Sequence, residues 1–152
     1  MRVTELKEMK LVGLRVVCEG DQYVNEIPRA AITLKNGLKE IKEVVTPTRL
    51  IGAFIVGDFT DEEDGYWVCV EVKQYNEIPV GMVFLTIPPQ KYAVIKHKGP
   101  NYKIRDTYEV LHKWIDENRF ERIVRSWHLE ISDEWGSNNS TEVEVELHDT
   151  IK

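Results

Sequence analysis

Glu130 is the residue of this sequence best placed to bind a charged partner. It lies in the middle of the strand-like run Trp127–Ser132, in which successive side chains point to opposite faces. Leu129 and Ile131 share the apolar face with Trp127. If that face meets the helices, Glu130 points to the opposite face, where two halves of the chain meet. A carboxylate on an apolar wall is costly unless a positive charge satisfies it, and a bound organic cation would do so. The alternative is a solvated glutamate, for example one paired with a lysine.

Aromatic side chains could form the walls of such a site. Six of them lie on or beside strand-like runs: Tyr66, Trp67, Tyr75, Tyr92, Tyr102 and Trp127. Each alone is typical of a core or rim position, but together they favour an aromatic-walled pocket, the usual form of a small-molecule site. Ring faces would also attract a cation. We therefore predict that Tyr66, Trp67, Tyr92 and Trp127 contact a ligand beside Glu130.

Glu71 is a second acid that could belong to the site. It shares one face of its predicted strand with Trp67 and Cys69. Two carboxylates in one pocket could serve as acid and base in a hydrolase. The alternative is an edge glutamate or one paired with a cation.

The sequence carries no recognisable metal or cofactor motif. The four histidines lack ligand-like spacing, and the acidic run Asp61–Gly65 departs from the calcium-loop pattern. Cys18 and Cys69 lie in apolar runs, where reduced, packed thiols are expected. A phosphate-binding glycine loop and a serine-hydrolase elbow are both absent. We therefore predict neither metal nor cofactor, and we assign no catalytic residue.

Composition limits the class of partner. The 152 residues are 42% hydrophobic and carry a net charge of −6, which predicts one domain spanning residues 1–152 with a sizeable core. The negative charge disfavours direct nucleic-acid binding and suits a cationic partner, although it can simply maintain solubility. The N-terminus lacks a secretory signal and no apolar stretch is long enough to span a bilayer. We expect a cytoplasmic protein that does not bind a membrane.

A repeated pattern predicts the elements that position these residues. Val16–Gly20 leads through Tyr23 to an amphipathic run, and about eighty residues later Ile95–Gly99 leads through Tyr102 to another. The apolar residues of the first run are Ile27, Ala31, Leu34 and Leu38, and those of the second are Ile104, Tyr108, Leu111 and Ile115. Both sets have spacings of four, three and four, which lays one apolar stripe along a helix. We therefore predict an α+β fold made of two strand–helix–strand–strand halves, about 1–78 and 79–152. Helices would cover one face of an antiparallel sheet, with a ligand cleft between the halves.

The elements follow from apolar alternation and from turn residues. In the first half we predict a strand over Leu11–Cys18, a helix from an N-cap at Asn25 to about Val45, and a hairpin of Leu50–Phe59 with Tyr66–Tyr75. In the second half we predict strands Met82–Ile87 and Lys91–Lys98, a helix over Ile104–Asn118, and a hairpin of Trp127–Ser132 with Glu142–His148 around the polar loop Gly136–Ser140.

One segment resembles a known family. Val83–Pro100, with its apolar strand, its Pro-Pro turn and the run Lys-Tyr-Ala-Val before a strand that ends in Gly-Pro, is similar to the signature of the gyrase-inhibitor-like, AraC-type effector-binding family. The resemblance implies a cleft between two repeats that binds lipophilic cations. It assigns the family's central acid to Glu130 and the tyrosine of the signature to Tyr92. The chain has Ser132 where many relatives have a tyrosine two residues after the acid.

These observations favour a small-molecule-binding module that senses or sequesters a partly apolar cation. Many relatives carry a DNA-binding segment, for which the predicted first strand at Leu11 leaves no room, so the resemblance is to a stand-alone member. A regulator protein or gyrase could then be a partner. The alternatives are a hydrolase that uses Glu130 and Glu71, and a protein-interaction inhibitor of the gyrase-inhibitor type; both rest on analogy.

Overall fold

The computed structural model describes residues 1–133, 135 and 142–152 of the chain. In these residues eight strands and two helices follow the order β1 (Arg2–Leu6), β2 (Met9–Val16), α1 (Tyr23–Asn36), β3 (Leu50–Ile55), β4 (Tyr66–Val72), β5 (Val83–Ile87), β6 (Gln90–Pro100), α2 (Ile104–Glu117), β7 (Trp127–Ser132) and β8 (Glu142–Ile151). The predicted α+β class is confirmed. The predicted loop Gly136–Ser140 lies outside the described residues.

The eight strands form one antiparallel sheet in the order β1-β6-β8-β7-β3-β4-β2-β5. If β1–β4 are exchanged for β5–β8, the same order is obtained in reverse, so a pseudo-twofold axis runs between β3 and β7. Each half also lends its first strand to the other, because β1 pairs with β6 and β5 pairs with β2. This arrangement confirms the predicted tandem repeat.

Strand β1 has no counterpart among the elements predicted from the sequence. Its Arg2 and Glu5 are exposed, whereas Val3 and Leu6 pack against buried clusters. Val3 and Leu6 lie on opposite faces of the sheet, one in the helix-side cluster and the other in the helix-free cluster. The run Arg2–Leu6 therefore lacks the strict alternation that marks a half-buried strand in a sequence.

The first helix is shorter than predicted. It begins at Tyr23 and ends at Asn36, not near Val45. The backbone N–H of Gly37 bonds the carbonyls of Thr33 and Leu34, and a single 3-10 turn follows. Glycine has the lowest helix propensity after proline, which favours the end of the helix at this position.

Both helices lie on the same face of the sheet, as predicted. Leu34 of α1 packs in a cluster with Val68 and Val70 of β4. In the other half, Leu111 and Ile115 of α2 pack with Ala93 of β6. Neither helix, among the residues that the structure describes, is long and apolar enough to cross a membrane.

The sheet buries its other face without help from a helix. One cluster there joins Leu6 of β1 and Ile87 of β5, at the two edges, to Ile51 and Leu129 of the central strands. The sheet must therefore curve until its outer strands cover the middle.

This curvature overturns the expected direction of Glu130. The apolar face of β7, which includes Leu129 and Ile131, packs in the helix-free cluster and does not meet the helices. Because side chains alternate along a strand, Glu130 points to the helix side of the sheet, into the space between α1 and α2.

Candidate functional site

A cavity of about 1180 Å³ lies between the two helices on the helix side of the sheet. Its walls include Tyr23, Ile27 and Ala31 of α1 and Ile104 and Tyr108 of α2, and the strands form its floor. We call it the interhelical cavity. The volume slightly exceeds the range of about 300–1,000 Å³ that is usual for sites of drug-sized molecules.

Glu130 stands on the floor of this cavity, held by one tyrosine from each half of the chain. Tyr66 of β4 donates its hydroxyl to Oε1 at 2.5 Å, and Tyr108 of α2 donates to Oε2 at 2.7 Å. Both carboxylate oxygens therefore have a fixed direction. No lysine or arginine in the described part of the chain forms an ion pair with this carboxylate, so the expected alternative of a lysine-paired glutamate is not what forms.

The surroundings alter the proton affinities of all three groups. Burial raises the pKa of Glu130, and the hydrogen bonds from Tyr66 and Tyr108 oppose this effect only in part. Burial and the nearby charge of Glu130 raise the pKa of both tyrosines well above the ordinary value. The hydroxyls therefore stay protonated and act as donors to Glu130.

Three aromatic rings surround the carboxylate. The Phe54 ring stacks on Tyr66, with centroids 5.8 Å apart, and meets Tyr108 edge-on at 6.4 Å. Phe54 also stacks on His128, with centroids 5.7 Å apart. This continuous aromatic surface beside a carboxylate is suited to a cation that also has apolar area.

Gly52 leaves the space that the tyrosine contact requires. It lies directly opposite Glu130 in the pairing of β3 with β7. A Cβ built on Gly52 would overlap the hydroxyl and the ring of Tyr66. Any side chain at this position would therefore push Tyr66 away from Glu130.

We predict that Gly52→Ala raises the pKa of Glu130 above its wild-type value, because the ionised carboxylate loses one donor. The change is measured by carbon-13 NMR of the glutamate carboxyl across a pH titration. Tyr66→Phe should reproduce the shift, whereas Gly20→Ala should not, since a Cβ on Gly20 meets no atom within 4 Å. An unchanged titration of Glu130 in Gly52→Ala would contradict this role.

A second polar group lies at another part of the cavity wall. This group is the buried carboxylate of Asp149 on β8. Its Oδ2 lies 2.6 Å from Nε2 of His112 on α2 and 3.0 Å from Nε of Arg122. His128 lies 3.1 Å away on the Oδ1 side. Burial alone would raise the pKa of Asp149, but His128, Arg122 and His112 together lower it below the ordinary value.

Of the six predicted site residues, the structure brings only Glu130 and Tyr66 to the interhelical cavity. Trp67 and Trp127 pack against each other on the helix-free face, with ring centroids 5.9 Å apart. Tyr92 is fully buried in the same cluster, where Gln90 donates to its hydroxyl. These three lie on the far side of the sheet because side chains alternate along each strand. Trp127 is three positions from Glu130 on β7, and Trp67 and Tyr92 belong to the same cluster as Leu129.

Glu71 also lies away from Glu130. It alternates with Val70 and Val72, which pack on the helix side, so it points to the other face with Cys69. Burial raises its pKa, and Arg49 partly offsets this. The acid–base pair that a two-carboxylate hydrolase needs is therefore not assembled.

Sequence reasoning missed Phe54 and Tyr108. Phe54 faces His128 across the β3–β7 pairing, a neighbour that the sequence does not reveal. Tyr108 belongs to the apolar stripe predicted for the second helix, a pattern that indicates packing on the sheet and not contact with a ligand. Among the described residues, no group of three or more His, Cys, Asp or Glu side chains is arranged to hold a metal ion.

The comparisons with known proteins extend over the whole described fold. Residues 2–148 match the Cass2 family model, described as integron-associated effector binding protein. No curated protein matches the chain. SAV2435, solved bound to tetraphenylphosphonium, is similar with a TM-score of 0.72 and 15% identity, covering 99% of this chain and 93% of that chain.

Two structures of EcmrR are also similar. Its C-terminal domain has a TM-score of 0.70 and 19% identity, covering 99% of this chain and 96% of that chain. In the cryo-EM structure of the EcmrR–DNA complex the TM-score is 0.71 at 19% identity, and 99% of this chain spans only 56% of that chain. At these identities the likeness establishes a shared fold.

Proposed function

Because this chain belongs to the Cass2 family of integron-associated effector-binding proteins, we propose that its interhelical cavity binds a small, partly apolar organic cation at Glu130. The resemblance to gyrase-inhibitor-like effector-binding domains is confirmed by the family match and the structural neighbours. We place the protein in the cytoplasm as part of the same proposal.

The observation that carries the proposal is the pairing of Glu130. Its partners, Tyr66 and Tyr108, are neutral donors, so the carboxylate is oriented without being neutralised. A buried charge without a counter-charge is costly, and a cation entering the cavity would supply that counter-charge. The tyrosines hold the carboxylate in place before the ligand arrives, which reduces the ordering cost of binding.

The rest of the cavity supports a cation with aromatic or aliphatic groups. Among the described residues that line it, eight are acidic and three are basic. This excess of negative charge attracts cations and repels anions of the same shape. The rings of Phe54, Tyr66 and Tyr108 provide apolar area next to the charge, which favours a lipophilic cation over a hydrated metal ion.

The similar structures are consistent with this class of ligand. SAV2435 has been solved with tetraphenylphosphonium, a lipophilic cation, and EcmrR with DNA and a transcription complex. We propose that this chain senses or sequesters a compound of the same class. A regulator protein or gyrase as partner stays a prediction from the resemblance. The concave shape of the cavity favours a small ligand over a flat protein-interaction face.

The proposal is tested by isothermal titration calorimetry with tetraphenylphosphonium and tetraphenylborate. These ions have nearly the same shape and opposite charge, so their comparison isolates the sign of the charge. We expect tetraphenylphosphonium to bind and tetraphenylborate to bind at least about 30-fold more weakly, since a desolvated charge contact is worth ~2 kcal/mol or more. Equal affinities, or preference for the borate, would overturn the proposal.

Binding is also expected to depend on pH. Burial raises the pKa of Glu130, so the carboxylate becomes neutral at a pH above the ordinary value of 4.5. As the pH falls through this raised pKa, affinity for tetraphenylphosphonium should drop about tenfold per pH unit. The probe does not titrate, and calorimetry from pH 8 to pH 4 follows the change. An affinity that stays flat down to pH 4 would show that the Glu130 charge is not involved.

A further inference from the structure

We infer that the open edge of β5 is the surface through which two copies of this chain associate, by antiparallel pairing of β5 with β5 of a second copy. The inference does not rest on the proposed function, because none of the described residues that line the interhelical cavity belongs to β5. It is carried by the composition of this edge, by an aromatic ring held in place on it, and by the register that such pairing would have.

The sheet ends in two strands of different character. β1 pairs with β6 and β5 pairs with β2, so each presents a row of backbone N–H and C=O groups with no further strand partner in the described sheet. β1 carries Arg2 and Glu5, and both are exposed. Residues 78–89, which include β5, have no charged side chain, although 30% of the whole chain is charged. The β5 edge therefore lacks the charges that commonly protect an open edge from pairing.

The β5 edge also exposes apolar side chains. Phe84 is 58% exposed and Val80 is fully exposed. The Phe84 ring meets the Tyr75 ring edge-on at 5.1 Å, and the Tyr75 hydroxyl lies 2.8 Å from Oγ1 of Thr86. A hollow of about 490 Å³ beside this ring is lined by Trp67 and residues 78–84. An exposed ring that is already held in one position can anchor a partner at a low ordering cost.

The register of the edge favours a second copy as the occupant. In antiparallel pairing centred on Leu85, Val83 lies opposite Ile87 of the second copy and Leu85 lies opposite its equivalent. These three side chains belong to the helix-free apolar cluster or pack against it, so the pairing extends that cluster across the interface. On the other face Phe84 lies opposite Thr86 of the second copy, an aromatic and β-branched pair of the kind that stabilises sheets.

Charge and order distinguish a second copy from other occupants. Each copy has a net charge of −6, so two copies repel each other, whereas the β5 edge brings no like charges into contact. β5 of a second copy is already an extended strand of a sheet, while an unstructured peptide would lose conformational entropy on pairing. Because the two β5 edges are used by each other, the association closes as a twofold dimer and does not continue as a filament.

The prolines after β5 limit the size of this interface. Pro88 and Pro89 follow the strand directly and have no backbone N–H to donate, so the pairing is confined to the five residues of β5. An interface of this size is at the small end of those that are specific. We therefore expect a dimer that dissociates in the micromolar range and not an obligate one.

Sedimentation velocity of the full chain from about 2 to about 200 µM tests the inference. We expect the wild type to become dimeric over this range. Phe84→Lys should weaken the association at least about tenfold, because the anchoring ring is lost and two lysines would lie roughly 7–8 Å apart as diagonal neighbours. A wild type that is monomeric throughout, or a Phe84→Lys variant that associates as well as the wild type, would overturn the inference.

Val110→Lys is the matched control. It introduces the same charge at an apolar residue of α2 that is 52% exposed, so it should dimerise like the wild type. An equal loss of association in Val110→Lys and Phe84→Lys would mean that added charge, and not the β5 edge, controls association, and would also overturn the inference.

Hydrogen exchange in the wild-type protein locates the interface without a variant. Backbone amides of β5 should exchange more slowly at about 200 µM than at about 2 µM, while those of β1 should not change. Slowing at β1 in place of β5, or a monomer whose β5 edge pairs only with an added apolar peptide, would overturn the second copy as the occupant. These measurements contain no phosphonium, so a failure of the dimer leaves the proposed function intact, and a failure of phosphonium binding leaves the dimer intact.

Discussion

Replacing Glu130 with glutamine is expected to weaken the binding of tetraphenylphosphonium by about 30-fold or more, while the fold is retained. Removing one partner of a desolvated charge pair typically costs ~2–5 kcal/mol of binding free energy. Glutamine has nearly the same shape, its carbonyl can accept from one tyrosine and its amide can donate to the other. Only the charge is lost, and calorimetry on both proteins measures the difference.

Glu71→Gln is the matched control for this substitution. It removes the same charge from a partly buried glutamate on the opposite face of the sheet, away from the cavity. We expect its affinity for tetraphenylphosphonium to stay within about twofold of the wild type, since charges on the far side of the sheet are screened. A similar loss in both variants would mean that net charge, not the position of Glu130, controls binding.

Stability should change in the opposite direction to affinity. The folded-state pKa of Glu130 is raised, so the ionised side chain opposes folding at neutral pH. The contribution of Glu130 to stability is complete below the pKa of the unfolded state, where the side chain is protonated in both states. This contribution is lost as the pH rises through the folded-state pKa. Glu130→Gln should therefore have a higher free energy of unfolding than the wild type at pH 7, and the gain should vanish near pH 4. Urea titrations at both pH values measure it, and a less stable variant at pH 7 would contradict the raised pKa.

Much of the frame could be predicted from the sequence because it depends on local patterns. The alternation over Trp127–Ser132 predicted β7 with the observed bounds, and the apolar stripe predicted α2 to within one residue. The repeat of these patterns predicted two similar halves. The same alternation identified Glu130 as a carboxylate in the middle of a strand whose other face is apolar.

The direction of the site could not be predicted, since it depends on how the whole sheet curves. Alternation separates Glu130 from Leu129 but does not say which of the two faces the helices cover. The exchange of edge strands and the closure of the sheet over its own apolar face decide this. For the same reason the rings of Trp67 and Trp127, although suited to a cation, are core residues.

The two repeats of the fold differ at the residues that line the cavity. In the aligned apolar stripes, Tyr108 of α2 corresponds to Ala31 of α1, and both line the cavity. The larger residue reaches Glu130, while the smaller one leaves space for a guest on the other side. The similarity of the two halves provides the cleft. The difference between Tyr108 and Ala31 makes one side of the cleft contact Glu130 and leaves the other side open to a ligand.

The largest effect on stability is expected at Asp149. This 1% exposed carboxylate joins three parts of the chain, since it lies on β8 and contacts His112 of α2 and Arg122, which precedes β7. Asp149→Asn leaves the Arg122 cation without its counter-charge. Removing one partner of a fully buried ion pair costs ~3–5 kcal/mol. Because the side chains of Arg122 and His112 are 30% and 33% exposed, water offsets part of this cost, and we expect a loss of ~1–3 kcal/mol. Urea unfolding at pH 7 measures the loss.

The pH dependence of that loss separates a charge effect from a packing effect. The folded-state pKa of Asp149 is lowered from 3.8, so its contribution is present above the unfolded pKa and disappears as the pH falls through the folded one. The difference between the wild type and Asp149→Asn should therefore narrow below about pH 4, whereas Asp116→Asn, on the exposed surface of α2, should change little at any pH. A difference for Asp149→Asn that is independent of pH would mean that shape at this position, and not the ion pair, holds α2 against the sheet and so keeps Tyr108 in reach of Glu130.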